Sequence, residues 1–482
     1  MEKLQAFNPY LPSWEYVPDG EPRVFGDRLY VYGSHDRFNG KGFCLNDYVC
    51  WSAPLDDLGN WRYEGVIYRK DQDPKNPKGK MNMNAPDVVR GLDGRYYLYY
   101  QLAVLTCTSV AVSDRPEGPY EFYGYVEKNG VPFGGKGEPF CFDPGVLVDD
   151  DGRVWLYVGF SPAPGFMKWV MGSRGNVIDG GYCLELDKDM KTVISEPTLV
   201  VPGPSAAVGT EFEGHGFYEA SSPRKIGGKY YFTYSSILSH ELCYAVSDYP
   251  DRDYRYGGTL VSIGDVGYEG RVTPNNYTGN THGGMVEVQG QWYIFYHRQT
   301  NKQKCARQAC AEKIYIAEDG SIAQAEITSC GLNQGPLQGQ GKYEARIACN
   351  LWAKEGTFAY LKTFEKDKKK QHPYFTQSGE DREENGDQHI ANMRHGATAG
   401  FKYFAMEEPV SVTTCLRGTG KGRMELRLKP DDKPVAVIPV EAKNGWADFT
   451  STFSAPITGN HALYFTYCGE GYVDFANFTL NK

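Results

Sequence analysis

Four carboxylates and one imidazole precede five similar turn-and-strand segments at nearly constant distances. The segments are GDRLYVYGS from Gly26, DGRYYLYYQ from Asp93, DGRVWLYVG from Asp151, GGKYYFTYSS from Gly227 and QGQWYIFYHR from Gln289. The upstream residues are Asp19, Asp87, Asp143, Glu219 and His282, each eight to ten positions before the Arg, Lys or Gln that follows its turn. Acidic side chains are rarely buried unless they are paired, bound to a cation or functional. Their shared spacing therefore predicts that they converge on one site.

Two carboxyl groups in different protonation states can hydrolyse a glycosidic bond, because one protonates the leaving oxygen while the other activates water or attacks the sugar. Glu219 is the better candidate for the acid, since it follows Phe217 and Tyr218 and partial burial would raise its pKa. A neighbouring Asp143 would raise that pKa further by like-charge repulsion. Asp19 is then the base. A gap with room for water predicts inversion, for which the carboxyl groups lie roughly 6.5–9.5 Å apart.

Three other residues are candidates for binding. Asp87 shares the spacing of the catalytic candidates and is predicted to contact the substrate. Arg298, at the end of FYHR, is a candidate for holding sugar hydroxyls. His282, in NTHGG, could hold a metal ion or a structural water, or be a buried histidine with ordinary hydrogen bonds.

The same five segments predict the fold that positions these residues. Counted at Arg28, Arg95, Arg153, Lys229 and Gln291, the repeats are 67, 58, 76 and 62 residues apart. Each interval can hold a four-stranded antiparallel sheet, whereas the strands of a β-sandwich recur every 8–12 residues without a longer period. Five such sheets arranged radially form a five-bladed β-propeller, which we assign to residues 1–333. If the strand before each turn is innermost, the five upstream side chains meet near the axis.

Composition narrows the class of protein. The chain has 482 residues, which suits two domains, and its net charge of −9 argues against a nucleic-acid partner. The sequence contains no run of 18 apolar residues, so we expect no membrane span. The first residues, MEKLQAFNPYLPSWEY, lack the pattern of a secretory signal, so we expect a cytoplasmic protein, or a secreted one if a leader has been removed. None of the 12 cysteines forms a CxxC pair, and we expect them to be reduced and buried. The sequence leaves the oligomeric state open.

Residues 342–482 are predicted to form a second all-β domain of the jelly-roll sandwich type, after a Gly- and Gln-rich linker at 331–341. The strand candidates are Thr357–Thr363, His389–Met393, Val410–Arg417, Arg423–Leu428, Val435–Val440, Ala447–Phe453, Ala462–Cys468 and Tyr472–Leu480. Between the first two are KDKKK (Lys366–Lys370) and GEDREENGD (Gly379–Asp387). These blocks of opposite charge predict a solvated loop.

At these motifs the sequence resembles glycoside hydrolase family 43, the five-bladed propeller glycosidases. The resemblance covers about residues 8 to 330 and rests on YVPDGEPRVFGDRLYVYGSHD, APDVV, FDPGVLVDDDG, GHGFYEASSPRKIGGKYYFTYSS and THGGMVEVQGQWYIFYHR. It differs from the usual pattern at Gly20, where proline is common, and at Asn84, where an aromatic residue is common. The resemblance implies Asp19 as base, Glu219 as acid, Asp143 as the aspartate that tunes and orients the acid, Arg298 as a sugar contact, and a calcium ion held by His282 through water.

The second domain resembles family 6 carbohydrate-binding modules in GRMELRL, VAVIPV, NGWADF and GNHALYFTYCGEGYVDFANFTL. By this resemblance Trp446 matches a tryptophan that lines a sugar cleft, and Asp474 stands near a position where an asparagine often serves. Two roles therefore remain open for this domain: it could bind sugar, or it could pack against the propeller.

The resemblance implies an inverting exo-acting glycosidase that removes terminal α-L-arabinofuranosyl or β-D-xylosyl residues from oligosaccharides derived from arabinoxylan or xylan. Two alternatives remain open. The same enzyme could act on galactofuranosyl or galactosyl termini. A catalytically silent, sugar-binding propeller would instead require one of the three carboxylates to lie away from the axis.

Overall fold

The computed structural model of the protein describes residues 4–163, 165, 172–360, 371–384 and 386–482. Within these ranges the regular secondary structure is almost entirely β-strand, with short 3-10 turns at Lys70–Gln72, Tyr268–Gly270 and Ala345–Ile347. No helix in the described ranges is long and apolar enough to cross a membrane. All 12 cysteines are unpaired, and most of them are buried, as small apolar side chains usually are.

The predicted propeller is confirmed. Blade 1 consists of β1 (Glu21–Phe25), β2 (Arg28–Tyr32), β3 (Tyr48–Pro54) and β4 (Arg62–Tyr68). Blade 2 consists of β5 (Met83–Arg90), β6 (Tyr96–Leu102), β7 (Ser109–Ser113) and β8 (Glu121–Tyr125), and is followed by the hairpin β9 (Glu127–Lys128) and β10 (Val131–Pro132). Blade 3 consists of β11 (Gly145–Val148), β12 (Val154–Gly159), β13 (Gly180–Leu186) and β14 (Thr198–Pro202). Blade 4 consists of β15 (Phe217–Ile226), β16 (Lys229–Ser236), β17 (Glu241–Ser247) and β18 (Arg255–Ser262). Blade 5 consists of β19 (Met285–Val288), β20 (Gln291–Gln299) and β21 (Arg307–Ile314).

The first strand of each blade lies at the axis. β5 contacts both β1 and β11, β15 contacts β11, and β19 contacts β1. Between β15 and β19, the Nε of Arg224 donates a hydrogen bond of 2.7 Å to the carbonyl of Met285. The tight turns after these strands use residues with positive φ, such as Gly94 (φ 86°) and Gly152 (φ 81°) in the two Asp-Gly turns. The repeat that the sequence shows is therefore the hairpin that joins the innermost strand to the second strand.

The N-terminal segment closes the ring along blade 5. The amide of Tyr10 donates to the carbonyl of Ala309 at 3.2 Å, so the segment runs beside β21, the outer strand of this three-stranded sheet. The side-chain amide of Asn8 exchanges hydrogen bonds with the backbone of Ala311 at 2.8 and 3.0 Å. Near the axis, Gly20 and Gly283 form a parallel bridge between blades 1 and 5.

The second domain is a sandwich of two six-stranded sheets, as predicted. One sheet has the order β22 (Leu337–Gln338), β27 (Thr398–Glu407), β32 (Thr458–Glu470), β29 (Lys421–Arg427) and β30 (Ala436–Glu441), with β24 (Asn350–Trp352) also paired to β27. The other has the order β25 (Tyr374–Thr376), β26 (His389–Met393), β33 (Val473–Asn481), β28 (Ser411–Gly418) and β31 (Ala447–Thr452), with β23 (Gly341–Glu344) also paired to β33. Apolar side chains from both sheets form one core, which includes Phe401, Phe465, Phe475 and Phe478.

Two details of the second domain differ from the sequence prediction. The stretch Thr357–Thr363 is not a strand over residues 357–360, and its remaining residues lie outside the described ranges, as do Lys366–Lys370. The acidic segment at 379–387 was expected to be a solvated loop. Most of its described residues are exposed, but Asp381 and Arg382 also form hydrogen bonds with Phe38 and Glu15 of the first domain.

Candidate active site

Asp19 lies two residues before β1, at the open end of the axis, and is 5 % exposed. Its Oδ1 is 2.8 Å from Nη1 of Arg307 and 3.3 Å from Nδ1 of His297. Nδ1 of His297 also accepts a hydrogen bond of 3.3 Å from the amide of Asp19, while Nε2 lies 2.8 Å from the carbonyl of Asn280. This arrangement requires Nε2–H to donate and Nδ1 to stay unprotonated. The backbone of Asp19 has a positive φ of 57°, a strained conformation that is typical of functional sites.

The electrostatic surroundings keep Asp19 ionised. Burial raises the pKa of its carboxyl, but the guanidinium of Arg307 outweighs that effect and leaves the pKa below its usual value. Burial and Arg307 together lower the pKa of His297 to about 3, so this ring is neutral. A carboxylate that remains charged at neutral pH can accept a proton from water.

Asp143 and Glu219 come from neighbouring blades. Asp143 lies two residues before β11 with a positive φ of 45°, and Glu219 lies at an irregular position in β15, where the pairing with β16 shifts register. The backbone of Ala220, the residue after Glu219, hydrogen-bonds the carboxylate of Asp143, and this contact ties the two acidic positions together. Ala220 itself has a φ of 73°. The bulge turns Glu219 out of the regular alternation of the strand, a common use of bulges beside active sites.

Glu219 has the electrostatics of a general acid. Burial, followed by the charge of Asp143, raises the pKa of Glu219 to about 8. The adjacent ring of Tyr218 packs against Phe160, with centroids 5.5 Å apart, so one side of this region is aromatic. Glu219 is therefore protonated at neutral pH while Asp19 is ionised. Two carboxyl groups whose pKa values are driven apart in this way can divide the roles of acid and base.

His282 bridges two layers of the axis. Its Nδ1 is 3.5 Å from Oδ2 of Asp143, and its Nε2 is 3.9 Å from Oε1 of Glu21. Burial lowers the pKa of His282, but the carboxylates of Asp143, Asp19 and Glu21 raise it to about 9 overall. The ring therefore lends positive charge to the carboxylate cluster.

The surroundings of His282 fit an ion that is held mainly by water. Oε1 of Glu21 is buried and has no hydrogen-bond partner among the described residues, and the 3.9 Å separation from Nε2 of His282 leaves these two atoms without a direct bond. A carboxylate oxygen is the kind of ligand that Ca²⁺ takes, but Ca²⁺ needs six to eight of them. His282 belongs to no group of three or more His, Cys, Asp or Glu ligands among the described residues. Any calcium ion here would take most of its ligands from water.

The comparisons with known proteins settle the family. The model of the family described as "Glycosyl hydrolases family 43" matches residues 17–322. The chain belongs to glycoside hydrolase family 43. It is therefore a glycoside hydrolase, and the residues that match the family model span the five propeller blades.

Relatives of this family 43 enzyme include a protein of the same length. A "Xylosidase/arabinosidase" of Thermoclostridium stercorarium is 50% identical over 483 residues, covering 99% of each chain. An "Arabinoxylan arabinofuranohydrolase" of Paenibacillus polymyxa is 25% identical and covers 95% of this chain and 70% of its own. Among solved structures, a family 43 enzyme from Xanthomonas citri complexed with xylose has a TM-score of 0.51 at 25% identity, covering 65% of this chain and 91% of its own.

Asp87 does not lie where a sugar could contact it. It is fully buried, and its carboxylate receives Nε and Nη2 of Arg23 at 3.0 and 2.6 Å and the amide of Val146 at 2.9 Å. The expectation that it binds substrate is therefore not met in this family 43 enzyme. Asp87 is one to two positions nearer to its turn than Asp19, Asp143 and Glu219. At about 3.3 Å per residue, that offset places it deeper along the axis.

A layer of ion pairs thus lies beneath the catalytic candidates. Besides Arg23 and Asp87, it contains Arg224, whose Nη2 is 2.8 Å from Oε2 of Glu21. Ser222 also donates to this oxygen at 3.0 Å. These pairs neutralise the acidic residues of the deeper axis, so that the carboxylates above them are the ones left for chemistry.

Arg298 is likewise not a sugar contact. Its Nη1 and Nη2 donate to the carbonyls of Ala348 and Arg346 at 2.8 and 2.7 Å, and its guanidinium lies 3.7 Å from the ring centroid of Phe375. These partners belong to the second domain, so Arg298 is part of the contact between the domains. The physical reason is the pleat: neighbouring residues of a strand point to opposite faces. On β20, His297 faces Asp19, and Arg298 therefore faces the other way.

Arg307, rather than Arg298, is the arginine that contacts Asp19. It begins β21 and donates to Oδ2 of Asp36 through its amide and its Nε at 3.1 and 2.8 Å, to Oδ1 of Asp36 through Nη2 at 3.0 Å, and to Asp19 through Nη1. Arg307, Asp36 and His297 were missed by sequence reasoning. His297 could have been found from the alternation in FYHR. No local motif marks Arg307, because its partners are 271 and 288 residues away.

The proposed cleft of the second domain is lined with protein contacts. The guanidinium of Arg417 lies 4.4 Å from the ring centroid of Trp446. Its Nε donates to Oδ2 of Asp474 at 3.0 Å, and Oδ1 of the same carboxylate accepts from the amide of Asn392 at 2.9 Å. The family match ends at residue 322, so the resemblance to carbohydrate-binding modules stays a prediction.

Proposed function

We propose that this enzyme is an inverting exo-glycosidase that releases terminal α-L-arabinofuranosyl or β-D-xylosyl residues from oligosaccharides. The observation that carries the proposal is the pair of carboxyl groups with opposed protonation states at the open end of the axis. Glu219 has a pKa of about 8, and the pKa of Asp19 lies below its usual value. Similarity over the full length to a xylosidase/arabinosidase supports the pentose class.

In the proposed mechanism Glu219 donates its proton to the glycosidic oxygen as the bond to the sugar breaks. Asp19 removes a proton from the water that attacks the anomeric carbon from the opposite face. The guanidinium of Arg307 fixes the carboxylate of Asp19 through a contact of 2.8 Å, and Nδ1 of His297 fixes its backbone by accepting a hydrogen bond of 3.3 Å from the amide of Asp19. Asp143 keeps Glu219 protonated before the reaction by like-charge repulsion, and the charge of His282 limits that repulsion.

A panel of nitrophenyl glycosides tests the substrate class. Arabinofuranoside and xyloside should be cleaved, and galactofuranoside and galactoside should not. Glu219→Gln and Asp19→Asn should each lower kcat by roughly 10²–10⁴-fold. The loss in Glu219→Gln should be greatest for oligosaccharides and smallest for aryl glycosides, whose leaving groups need less protonation. Unchanged hydrolysis in both variants would favour a silent sugar-binding propeller.

Proton NMR of the first product tests the stereochemistry. Inversion requires that the anomeric signal of the released sugar initially have the opposite configuration to that of the substrate. A product that first retains configuration would refute Asp19 as a base that acts through water.

A calcium ion near His282 is a further part of the proposal. Oε1 of Glu21 and the ring of His282, neutral once the ion is bound, would hold it, largely through water, and the ion would supply the positive charge beneath Asp143. Metal analysis of the purified protein, and activity after treatment with a chelator and after calcium is restored, test this part. Full activity with no metal detected would refute it.

A further inference from the structure

The acidic segment of the second domain reaches the wall of the active site. We define the bracing loop as the described residues of 377–388. Oδ1 of Asp381 in this loop accepts a hydrogen bond of 2.7 Å from the amide of Phe38. Its Oδ2 accepts one of 3.0 Å from Nδ2 of Asn46. Both partners belong to the segment between β2 and β3 of blade 1, so one carboxylate joins the two ends of a propeller loop.

A chain of hydrogen bonds connects the carboxylate of Asp381 to that of Asp19. Nδ2 of Asn46, the group that donates to Asp381, also donates to the carbonyl of Asp36 at 2.9 Å. The side chain of Asp36 binds Arg307 at 2.8 and 3.0 Å, and Arg307 binds Asp19 at 2.8 Å. Asp36 is fully buried, and Asp19 and Arg307 are nearly so. In a closely packed interior, a shift at one end of such a chain is transmitted, because no space allows it to relax.

Arg382 makes a second contact beside the first. Its Nη1 lies 2.7 Å from both carboxylate oxygens of Glu15. Glu15 is buried and also accepts from Nε1 of Trp51 at 2.8 Å, and His35 lies 3.0 Å from its Oε1. His35 directly precedes Asp36. The second domain therefore neutralises a buried carboxylate that helps to fix the start of the same loop.

A neighbouring segment of the second domain holds the loop that leads into Arg307. The amide of Asn301 donates to the carbonyl of Phe375 at 2.7 Å, and Nζ of Lys302 lies 4.0 Å from the ring centroid of Tyr374. Nδ2 of Asn301 also donates to the carbonyl of Phe38 at 3.0 Å. The loops before β3 and before β21 are thus fastened to each other and to the second domain.

We propose that the second domain is a working part of the active site, in which Asp381 and Arg382 act as positioning residues that hold Arg307, and through it Asp19, in the geometry for catalysis. The inference rests on the proposed role of Asp19 as the base. It assigns a function to the charged segment 379–387 that the sequence indicated to be solvated. It also predicts that the propeller and the sandwich operate as one catalytic unit rather than as an enzyme with an attached binding module.

Simple packing between domains is the competing explanation, and the contacts distinguish the two. Packing alone would need only complementary apolar surfaces, and it would not require hydrogen bonds to the loop that contains Asp36. Here the bonds from Asp381 end on the loop that orients Asp36. Another contact across the domain boundary runs from the hydroxyl of Tyr403 to Oε2 of Glu326 at 2.7 Å. In the described part of the chain neither of these residues is hydrogen-bonded to Asp19, Asp36 or Arg307, so this contact serves as a matched control.

The test compares Asp381→Ala, Asp381→Asn and Tyr403→Phe in the full chain. Misplacement of a catalytic group by about 1 Å can cost roughly 100-fold, so we expect kcat to fall by about 10- to 100-fold in Asp381→Ala with little change in KM. Asp381→Asn keeps one acceptor and should recover part of the loss. Tyr403→Phe should keep kcat, with a melting temperature lowered no more than in the Asp381 variants.

The pH profile separates positioning from packing. Asp19 faces Arg307, His297 and His282, and it also interacts electrostatically with three acidic groups, Asp36, Asp143 and Glu219. If Arg307 moves away, the acidic limb of kcat/KM should shift to higher pH in Asp381→Ala. A double-mutant cycle of Asp381→Ala with Arg307→Lys should be non-additive, because both changes act on the same chain of contacts.

Two results would overturn the inference. One is a wild-type kcat and an unmoved acidic limb in Asp381→Ala. The other is equal loss of activity in Asp381→Ala and Tyr403→Phe in proportion to lost stability. Failure of the proposed function is a separate outcome, because Asp19→Asn would then remain active whatever the Asp381 variants did.

Discussion

Replacing Asp143 by Asn should move the alkaline limb of kcat/KM to lower pH. In the wild type, the pKa of Glu219 is raised from 4.5 to about 8, which corresponds to about 5 kcal/mol between its two protonation states. Burial is the largest cause, and the charge of Asp143 is the second. The acid must be protonated to act, so activity should decline as pH rises through about 8.

The magnitude follows from the lost repulsion. Two unit charges about 8 Å apart at an effective dielectric constant of about 20 interact by about 2 kcal/mol, which is equivalent to about 1.5 pH units. The alkaline limb in Asp143→Asn should therefore lie about 1.5 pH units below that of the wild type. It should stay above pH 4.5, because burial of Glu219 persists. The assay is kcat/KM for an oligosaccharide between pH 4 and 10, which reports ionisations of the free enzyme.

Glu312 provides the control for this experiment. Burial raises the pKa of Glu312 to about 8 as well, but the residue lies in β21 with Thr328 as a partner at 2.7 Å. A carboxyl with a raised pKa in the folded state stabilises the fold at low pH, and this stability is lost as pH rises through about 8. Glu312→Gln should leave the catalytic limb in place. A limb that moves with Glu312→Gln, or that stays in place in Asp143→Asn, would refute the assignment to Glu219.

Three further predictions concern residues around this pair. Arg307→Met should raise the pKa of Asp19 and so shift the acidic limb of kcat/KM to higher pH, and it should lower kcat by about 100-fold. An unmoved limb would show that Arg307 does not control the ionisation of Asp19. Arg298→Met should lower the free energy of unfolding in urea by about 2 kcal/mol, because two carbonyls lose their donors, and should leave KM unchanged; a raised KM would restore its role as a sugar contact. Asp87→Asn should cost about 3 kcal/mol of stability by leaving Arg23 buried and without its counter-charge, with both limbs of the pH profile unmoved; a shifted limb would place Asp87 in the catalytic cluster.

The propeller could be predicted because its evidence is local. A turn followed by an alternating strand recurs five times, and the residue types of each hairpin are legible within about ten positions. The same spacing located Asp19, Asp143, Glu219 and His282 near the axis. The spacing did not predict the position of Asp87 correctly. Asp87 lies eight residues before the residue that follows its turn, whereas the others lie nine or ten residues before theirs, so Asp87 lies deeper along the axis.

The second domain shows where local patterns become weak. β27 (Thr398–Glu407) was not predicted, although it pairs with three strands of its sheet, β22, β24 and β32. Its residues are buried along most of the strand and so lack the alternation that marks a half-exposed strand. β22, β23, β24 and β25 have two to four residues each, too few for a periodic signal.

The sequence by itself determined the fold class, the number of blades and the candidate acid and base. The fold class and the candidates follow from the spacing of residues within each hairpin, and the number of blades follows from how often that hairpin recurs. Only the tertiary structure decided which neighbours control the base. Arg307 and Asp381 approach the surroundings of Asp19 from chain positions hundreds of residues away, and no local pattern encodes such a contact. The pleat then decided that His297, and not Arg298, faces the site, since one position along a strand reverses the direction of a side chain.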